Sequence, residues 1–237
     1  MKLLDALLTS CRCALFAGVC CAATAQTGDA ATAREAQRPP APSSASQLAP
    51  QLRVGDLVFI RVPAKPFREV ATATGSWTNH VGIVTDVDGE QPQISESALP
   101  FSRRTTLKSF MARSENGRLA VMRMQTPLSP GQQQAVATAA AQRMGVLYDT
   151  GFDLHSRKRQ FCSRFVREVL QQATGTQVGD VQTFAGMLAQ HPGADLGFWK
   201  LWYFGRIPWQ RETVTPASVL RSPALRVVFD GNARAEL

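Results

Sequence analysis

The sequence predicts an α+β domain in which a small antiparallel sheet packs against a helix that begins at Cys162. Three observations carry this expectation. Short β-rich apolar runs, punctuated by Gly and Asp turns, fill the first half of the chain, and helical periodicities fill the second. Apolar residues make up 44% of the 237, enough for a core of ordinary size. Cys162 is the one cysteine beyond residue 21, and it falls where a helix should start.

Residues 1–25 read as a signal peptide. Lys2 and Arg12 precede the apolar run Ala14 to Ala22, and Ala23-Thr24-Ala25 has the small-x-small pattern of a cleavage site, leaving Gln26 first. Cys11, Cys13, Cys20 and Cys21 belong to this segment. Residues 26–51, rich in Ala, Pro, Ser and Gln, offer too little burial to offset ordering entropy and are expected to form a disordered linker. The folded domain is then 52–237. Leu57 to Val62 follows the Gly55-Asp56 turn as the first strand, and a polar segment runs through Thr78. HVGIVTDV from His80 is the second strand, closed by Asp88-Gly89, and Gln93 to Glu96 pairs with it as a hairpin. Leu119 to Met124 is a further strand.

Helices follow. Ser129 and Pro130 supply a cap and a first-turn proline for a helix stopped at Gly145. A second helix starts near Phe161, steps through Phe165, Val169 and Gln172, and ends at Gly175. Val181 to Gln190 reads as a third. Phe198 to Trp209 (FWKLWYFGRIPW) is apolar nearly all round, which suits burial or a cleft lining; the alternative is a membrane interface, where Trp and Tyr beside Lys200 and Arg206 would suit headgroups.

Charge narrows the partners. Lys plus Arg number 26 against 18 acids, a net +8, so anionic surroundings are favoured. No recognised nucleic-acid motif accompanies that charge, so nucleic acid is not the expected partner. Beyond the N-terminus no uncharged apolar run reaches the roughly 20 residues of a membrane span. One Cys in the domain and three scattered His, without CxxC, HxxxH or HExxH, provide no metal-ligand cluster, and no cofactor is expected.

The chemistry concentrates on three residues. Cys162 at a helix N-terminus sits where unpaired amides favour a thiolate. His80 opens a strand after a polar loop and should reach a sheet edge. Glu96 ends the adjacent hairpin strand, so the two ends lie side by side and the carboxylate can orient the imidazole. His155, in a charged loop, and His191, before Pro192, are read as surface residues. Arg157-Lys158-Arg159 is read as a solvated loop, with steering of an anionic substrate as the functional alternative.

The order GDLVF, NHVGIV, ISES, YDTGFD, FCSRFV resembles the permuted papain-like branch of the NlpC/P60 superfamily, in its YiiX/YebB-like group, over about residues 52–229; ADLGFWKLWYFGRIPW and TVTPASVLRSPAL also look like that group. The resemblance implies a circularly permuted papain-like fold with His80 as base, Glu96 as orienting carboxylate and Cys162 as nucleophile, with Ser95 or Ser97 as alternatives to Glu96. Tyr148 and Asp149 resemble a cleft-lining YD element in contact with substrate, or serve the backbone. It implies a cysteine-dependent hydrolase or acyltransferase working through an acyl-thioester on a peptide or isopeptide amide, including cell-wall peptide. The alternatives are a lipid ester or thioester at an anionic membrane surface, and a catalytically silent binding module, against which all three positions are filled.

Export implies a periplasmic or secreted protein, or a cytoplasmic one if the N-terminus is misassigned. Intact mass of protein from its native host is expected to show a chain beginning at Gln26; retained Met1 in a cytosolic fraction would refute export.

Overall fold

The computed structural model describes residues 43–236; the signal-peptide reading and residues 26–42 of the expected linker lie outside them. Order begins nine residues before Leu52. Ser44 caps a one-turn helix, α1 (Ala45–Leu48), by accepting from the Gln47 N–H, and a 3-10 turn (Ala49–Gln51) follows. Ala45 and Leu48 are fully buried against Val58, Ile60 and Phe229, so residues 43–51 belong to the folded domain and not to a linker. Average composition hides this because two well-placed apolar side chains are enough to dock a single turn.

The central sheet is built from β1 (Leu57–Ile60), β2 (His80–Asp86), β3 (Gln93–Ser97), β4 (Ser102–Thr106), β5 (Arg118–Met124) and β10 (Leu225–Asn232), with order β10-β5-β1-β2-β3-β4 and every neighbour antiparallel. Its side chains alternate between two cores. Leu57, Phe59, Val81, Ile83, Ala120 and Met122 face one; Val58, Ile60, Val84, Ile94, Leu119 and Val121 face the other. Burial on both faces explains why LVFI is a continuous apolar run instead of an alternating one. It also corrects the edge placement of His80: β2 lies between β1 and β3, and the ring is buried.

Between the strands lie α2 (Lys65–Ala73), inside the segment read only as polar, and α3 (Leu107–Met111). Ser129 and Gln132 form a reciprocal capping box on α4 (Pro130–Ala141). A short parallel pair, β6 (Leu147–Tyr148) and β7 (Arg159–Gln160), leads into α5 (Cys162–Thr174), which ends on left-handed Gly175 at φ +75°. Phe165, Val166, Val169 and Leu170 bury one stripe of α5 against the sheet core shared with α4.

Val181–Gln190 is not one helix. It divides into β8 (Val181–Thr183) and α6 (Phe184–Gln190), because the Thr183 side chain caps α6 by accepting from the Gly186 N–H while its strand pairs with β9 (Glu212–Val214). The aromatic stretch forms α7 (Leu196–Trp202), and α8 (Pro216–Leu220) precedes β10. Gly82 is required by close approach: a Cβ there would stand 2.5 Å from Ile94 Cγ2 and 2.9 Å from the Phe110 ring.

Leu48→Ala is expected to lower folding stability by about 2–5 kcal/mol, the cost of emptying a filled core site, measured by denaturant unfolding. A change near zero would return residues 43–51 to the linker.

Candidate active site

The β2–β3 hairpin puts His80 and Glu96 together. With Ile83 opposite Ser95 and Val84 opposite Ile94, the start of β2 and the end of β3 are neighbours, and His80 Nε2 lies 2.6 Å from Glu96 Oε2. Both side chains are buried. Burial alone would raise the Glu96 pKa, but the His80 hydrogen bond and the Arg113 guanidinium hold it down to about 2. An ionised carboxylate can only accept, so Nε2 carries the proton.

Glu96 is fixed from several sides. Arg113 Nη2 reaches both carboxylate oxygens at 2.8 Å, and Arg103 Nε donates to Oε1 at 3.1 Å. Arg103 comes from the cross-strand position of β4 directly opposite Glu96, and Arg113 from just beyond α3. The His80 ring stacks on Phe110 at 5.6 Å and meets the edge of Phe67 at 6.1 Å. Asn79 fixes the entry to β2, accepting from the Val62 N–H at 2.8 Å and donating to the Val62 carbonyl at 3.0 Å.

Cys162 is the first residue of α5 and only 3% exposed. His80 Nδ1, the nitrogen Glu96 leaves free, has no other hydrogen-bond partner and is the one available to the thiol. Burial opposes charge on both groups, yet each stabilises the charge of the other. The His80 pKa rises to about 9, chiefly through the Cys162 charge, and the Cys162 pKa falls below the usual thiol range through His80 and the backbone N–H groups of Val81 and Ser163. A thiolate–imidazolium pair oriented by a carboxylate is an arrangement suited to nucleophilic acyl transfer.

The other predicted residues divide. Tyr148 is buried and part of the same cavity wall as Cys162; burial first, and then the neighbouring thiolate, push its hydroxyl pKa well above 10, so it stays a donor. Asp149 does not line that cavity but an open groove beside it, and its two oxygens accept from the N–H groups of Gly151 and Asp153 at 2.8 and 3.0 Å, the backbone role expected as the alternative. Ser95 pairs with Thr85 and Ser97 with the Gln160 carbonyl, so neither competes with Glu96 for His80. His155 is exposed and bonds Glu212. The cavity beside Cys162 is narrow, about 30 Å³, and its walls include Phe67, Val70, Phe152, Phe184, Met187 and Trp199.

Residues 51–229 match the family described as permuted papain-like amidase enzyme, YaeF/YiiX, C92 family. The chain belongs to this family. It is 30% identical over 178 residues to the uncharacterized protein YiiX of Escherichia coli K12, covering 75% of this chain and 86% of that one. A crystal structure of yiiX from Escherichia coli O157:H7 superposes with a TM-score of 0.70 at 30% identity, covering 76% of this chain and 98% of that one.

The Escherichia coli O157:H7 protein is described as a metalloprotein. In this YiiX-like chain the residues do not fit a metal: among the described residues no three His, Cys, Asp or Glu side chains form a ligand group, and the Glu96 oxygens are engaged by His80, Arg103 and Arg113. Two guanidinium groups stand where a cation would need a free carboxylate. The arginines were the part of this site that motif reading missed. Arg103 was recoverable by pairing SRRTT across from ISES; Arg113 follows a helix whose docking no local pattern announces.

Alkylation of Cys162 by iodoacetamide, measured against pH in a chain lacking residues 1–25, is expected to show a half-point below the free-thiol value of about 8.5. His80→Ala should move it upward, since the imidazolium is the largest influence favouring the thiolate. A profile at the free-thiol value that ignores His80→Ala would leave Cys162 a packing residue.

Proposed function

We propose that this chain is a cysteine amidase in which Cys162 attacks the scissile carbonyl, His80 carries the proton and Glu96 holds His80 in place. The observation supporting this reading is the buried 2.6 Å His80–Glu96 contact, with the second imidazole nitrogen left for a thiol at a helix N-terminus. A Cys162 Sγ–carbon bond forms as the carbonyl pair moves onto oxygen. The Cys162 backbone N–H, at the start of α5, and the Tyr148 hydroxyl beside the sulfur are the donors assigned to that oxyanion. Collapse breaks the C–N bond, and the amine departs with the His80 proton. Water then adds to the acyl-thioester, giving a proton back to His80, and cleavage of the C–S bond releases the acid.

The amide in this reading belongs to a peptide or isopeptide, cell-wall peptide included. The apolar walls around Cys162 match an apolar side chain or acyl chain, and that observation favours the ester or thioester of a lipid as the second reading. The same proposal puts the protein in the periplasm or outside the cell, on the strength of the N-terminal basic and apolar segments and the Ala23-Thr24-Ala25 site.

Turnover of amide, thioester and ester probes with apolar acyl groups is expected to follow a bell-shaped pH profile. The acid limb falls below the usual thiol range as Cys162 protonates, and the alkaline limb lies near 9 as His80 loses its proton. Glu96→Gln should lower kcat by a factor on the order of 10²–10⁴. Cys162→Ala activity equal to that of an active wild type would remove the thiol as nucleophile, and no turnover of any probe by wild type would leave a binding module in place of an enzyme.

A further inference from the structure

The segment from Leu196 to Arg211 is two-faced in a way that catalysis does not use. Its inner side is anchored. Trp199 is buried in the wall of the Cys162 cavity, the Trp202 indole donates to the Thr150 carbonyl at 2.9 Å, and the Tyr203 hydroxyl donates to the Gly151 carbonyl at 3.2 Å. The expectation that the whole aromatic stretch is buried therefore holds for one side only. Leu201 is 80% exposed and Phe204 97% exposed, with Leu196 and Trp209 also in contact with solvent.

Phe204 carries two costs at once. Its ring is almost wholly in water, and its backbone is left-handed at φ +51°, a conformation that glycine or asparagine adopts more easily. Nothing in the packing requires a phenylalanine there, and Gly205, also at positive φ, immediately follows. The apolar tip is set among cations. Residues 196–211 contain Lys200, Arg206 and Arg211 and no acid. An open groove runs along this side, lined by Leu201, Phe204, Arg159, Arg206 and Arg211 and also by Asp149 and Asp153. Asp149 is already engaged by two backbone N–H groups. Of the Arg157-Lys158-Arg159 run, Arg159 lines this groove.

We propose that the Leu201–Phe204 end of α7 docks the domain on an anionic lipid bilayer, with Leu201 and Phe204 entering the acyl boundary and Lys200 and Arg206 meeting lipid phosphates. Aliphatic and aromatic side chains ringed by basic groups match that surface in both polarity and charge. Because the opposite side of α7 walls the cavity at Cys162, docking holds that narrow apolar cavity at the lipid surface, and the polarity of its walls favours a lipid-borne acyl group as the substrate moiety. This last step rests on the cysteine hydrolase reading; the docking surface does not.

The test is co-sedimentation of the full chain with vesicles of phosphatidylcholine alone or mixed with phosphatidylglycerol. Wild type is expected to bind the anionic vesicles preferentially and to lose binding in high salt. Leu201→Asp combined with Phe204→Asn should weaken binding at least about tenfold at unchanged or higher melting temperature, since both side chains are exposed and Asn suits the left-handed backbone. Lys200→Glu with Arg206→Glu should remove the preference for phosphatidylglycerol. Cys162→Ser should bind as wild type does, so loss of binding in the α7 variants with no turnover by wild type would sink the hydrolase reading alone. The apolar N-terminal segment is common to every variant. Binding by the Leu201/Phe204 variant within twofold of wild type would therefore assign attachment to another part of the chain and overturn the proposal. So would failure of wild type to bind, or a wild-type dimer that the variant dissolves without any vesicle binding.

Discussion

The Glu96 carboxylate is the constraint around which this domain is arranged. A buried anion without partners is prohibitively expensive, so the chain must deliver compensating donors from separate elements to one point. Arg103 arrives across the β3–β4 pairing, Arg113 from beyond α3, and His80 from the first position of β2. Two of the three share one support: the Phe110 ring lies 5.6 Å from the His80 ring and 4.9 Å from the Arg113 guanidinium carbon, packing against both. Loss of register between β3 and β4 would flip Glu96 and Arg103 to the wrong face, which couples the ion cluster to the pairing of the sheet itself.

Around that cluster the sheet is buried on both faces, and this is what lets a narrow apolar cavity exist beside charged groups. One core joins the sheet to α4 and α5 and includes Cys162, Phe161 and Tyr148; the other joins it to α1 and α3. A third cluster, made by Phe184, Met187, Leu188, Trp199 and Ile207, closes over the site from α6 and α7. Low dielectric around His80 and Cys162 opposes charging either one alone. Their mutual attraction therefore favours ionising them together, and the backbone N–H groups of Val81 and Ser163 add to the thiolate side.

The third cluster also places the aromatic stretch in two environments. The Trp202 indole and the Tyr203 phenol are satisfied by the Thr150 and Gly151 carbonyls, in the loop that Asp149 organises by accepting from two backbone N–H groups, whereas the buried Trp199 indole N–H has no hydrogen-bond partner. The YD pair thus has two placements: Tyr148 lines the cavity beside Cys162, and Asp149 shapes the loop on which α7 rests. This explains why two adjacent residues in one motif have unrelated surroundings.

Much of the candidate site was legible locally. A hairpin closed at Asp88-Gly89 brings His80 beside Glu96 by strand geometry alone, and a helix beginning at Cys162 and ending at Gly175 follows from periodicity and capping chemistry; both are short-range properties. Capping likewise placed Ser129 and Pro130 correctly. What local patterns could not decide depends on contacts between distant segments. Leu48 and Ala45 look like linker because their burial is supplied by Val58, Ile60 and Phe229. SRRTT has no apolar signal because β4 is an edge strand, and Arg113 has no motif because its partner lies 17 residues earlier across a turn and a helix. His80 was placed at an edge because strand order is invisible in sequence, and the aromatic stretch was uniform in composition although its two sides meet different surroundings. The residues by themselves determined which groups could react and which segments would pair as neighbours; the tertiary structure decided which charges are buried together and which apolar groups remain in water, because burial is a property of the assembled surfaces and of no single segment.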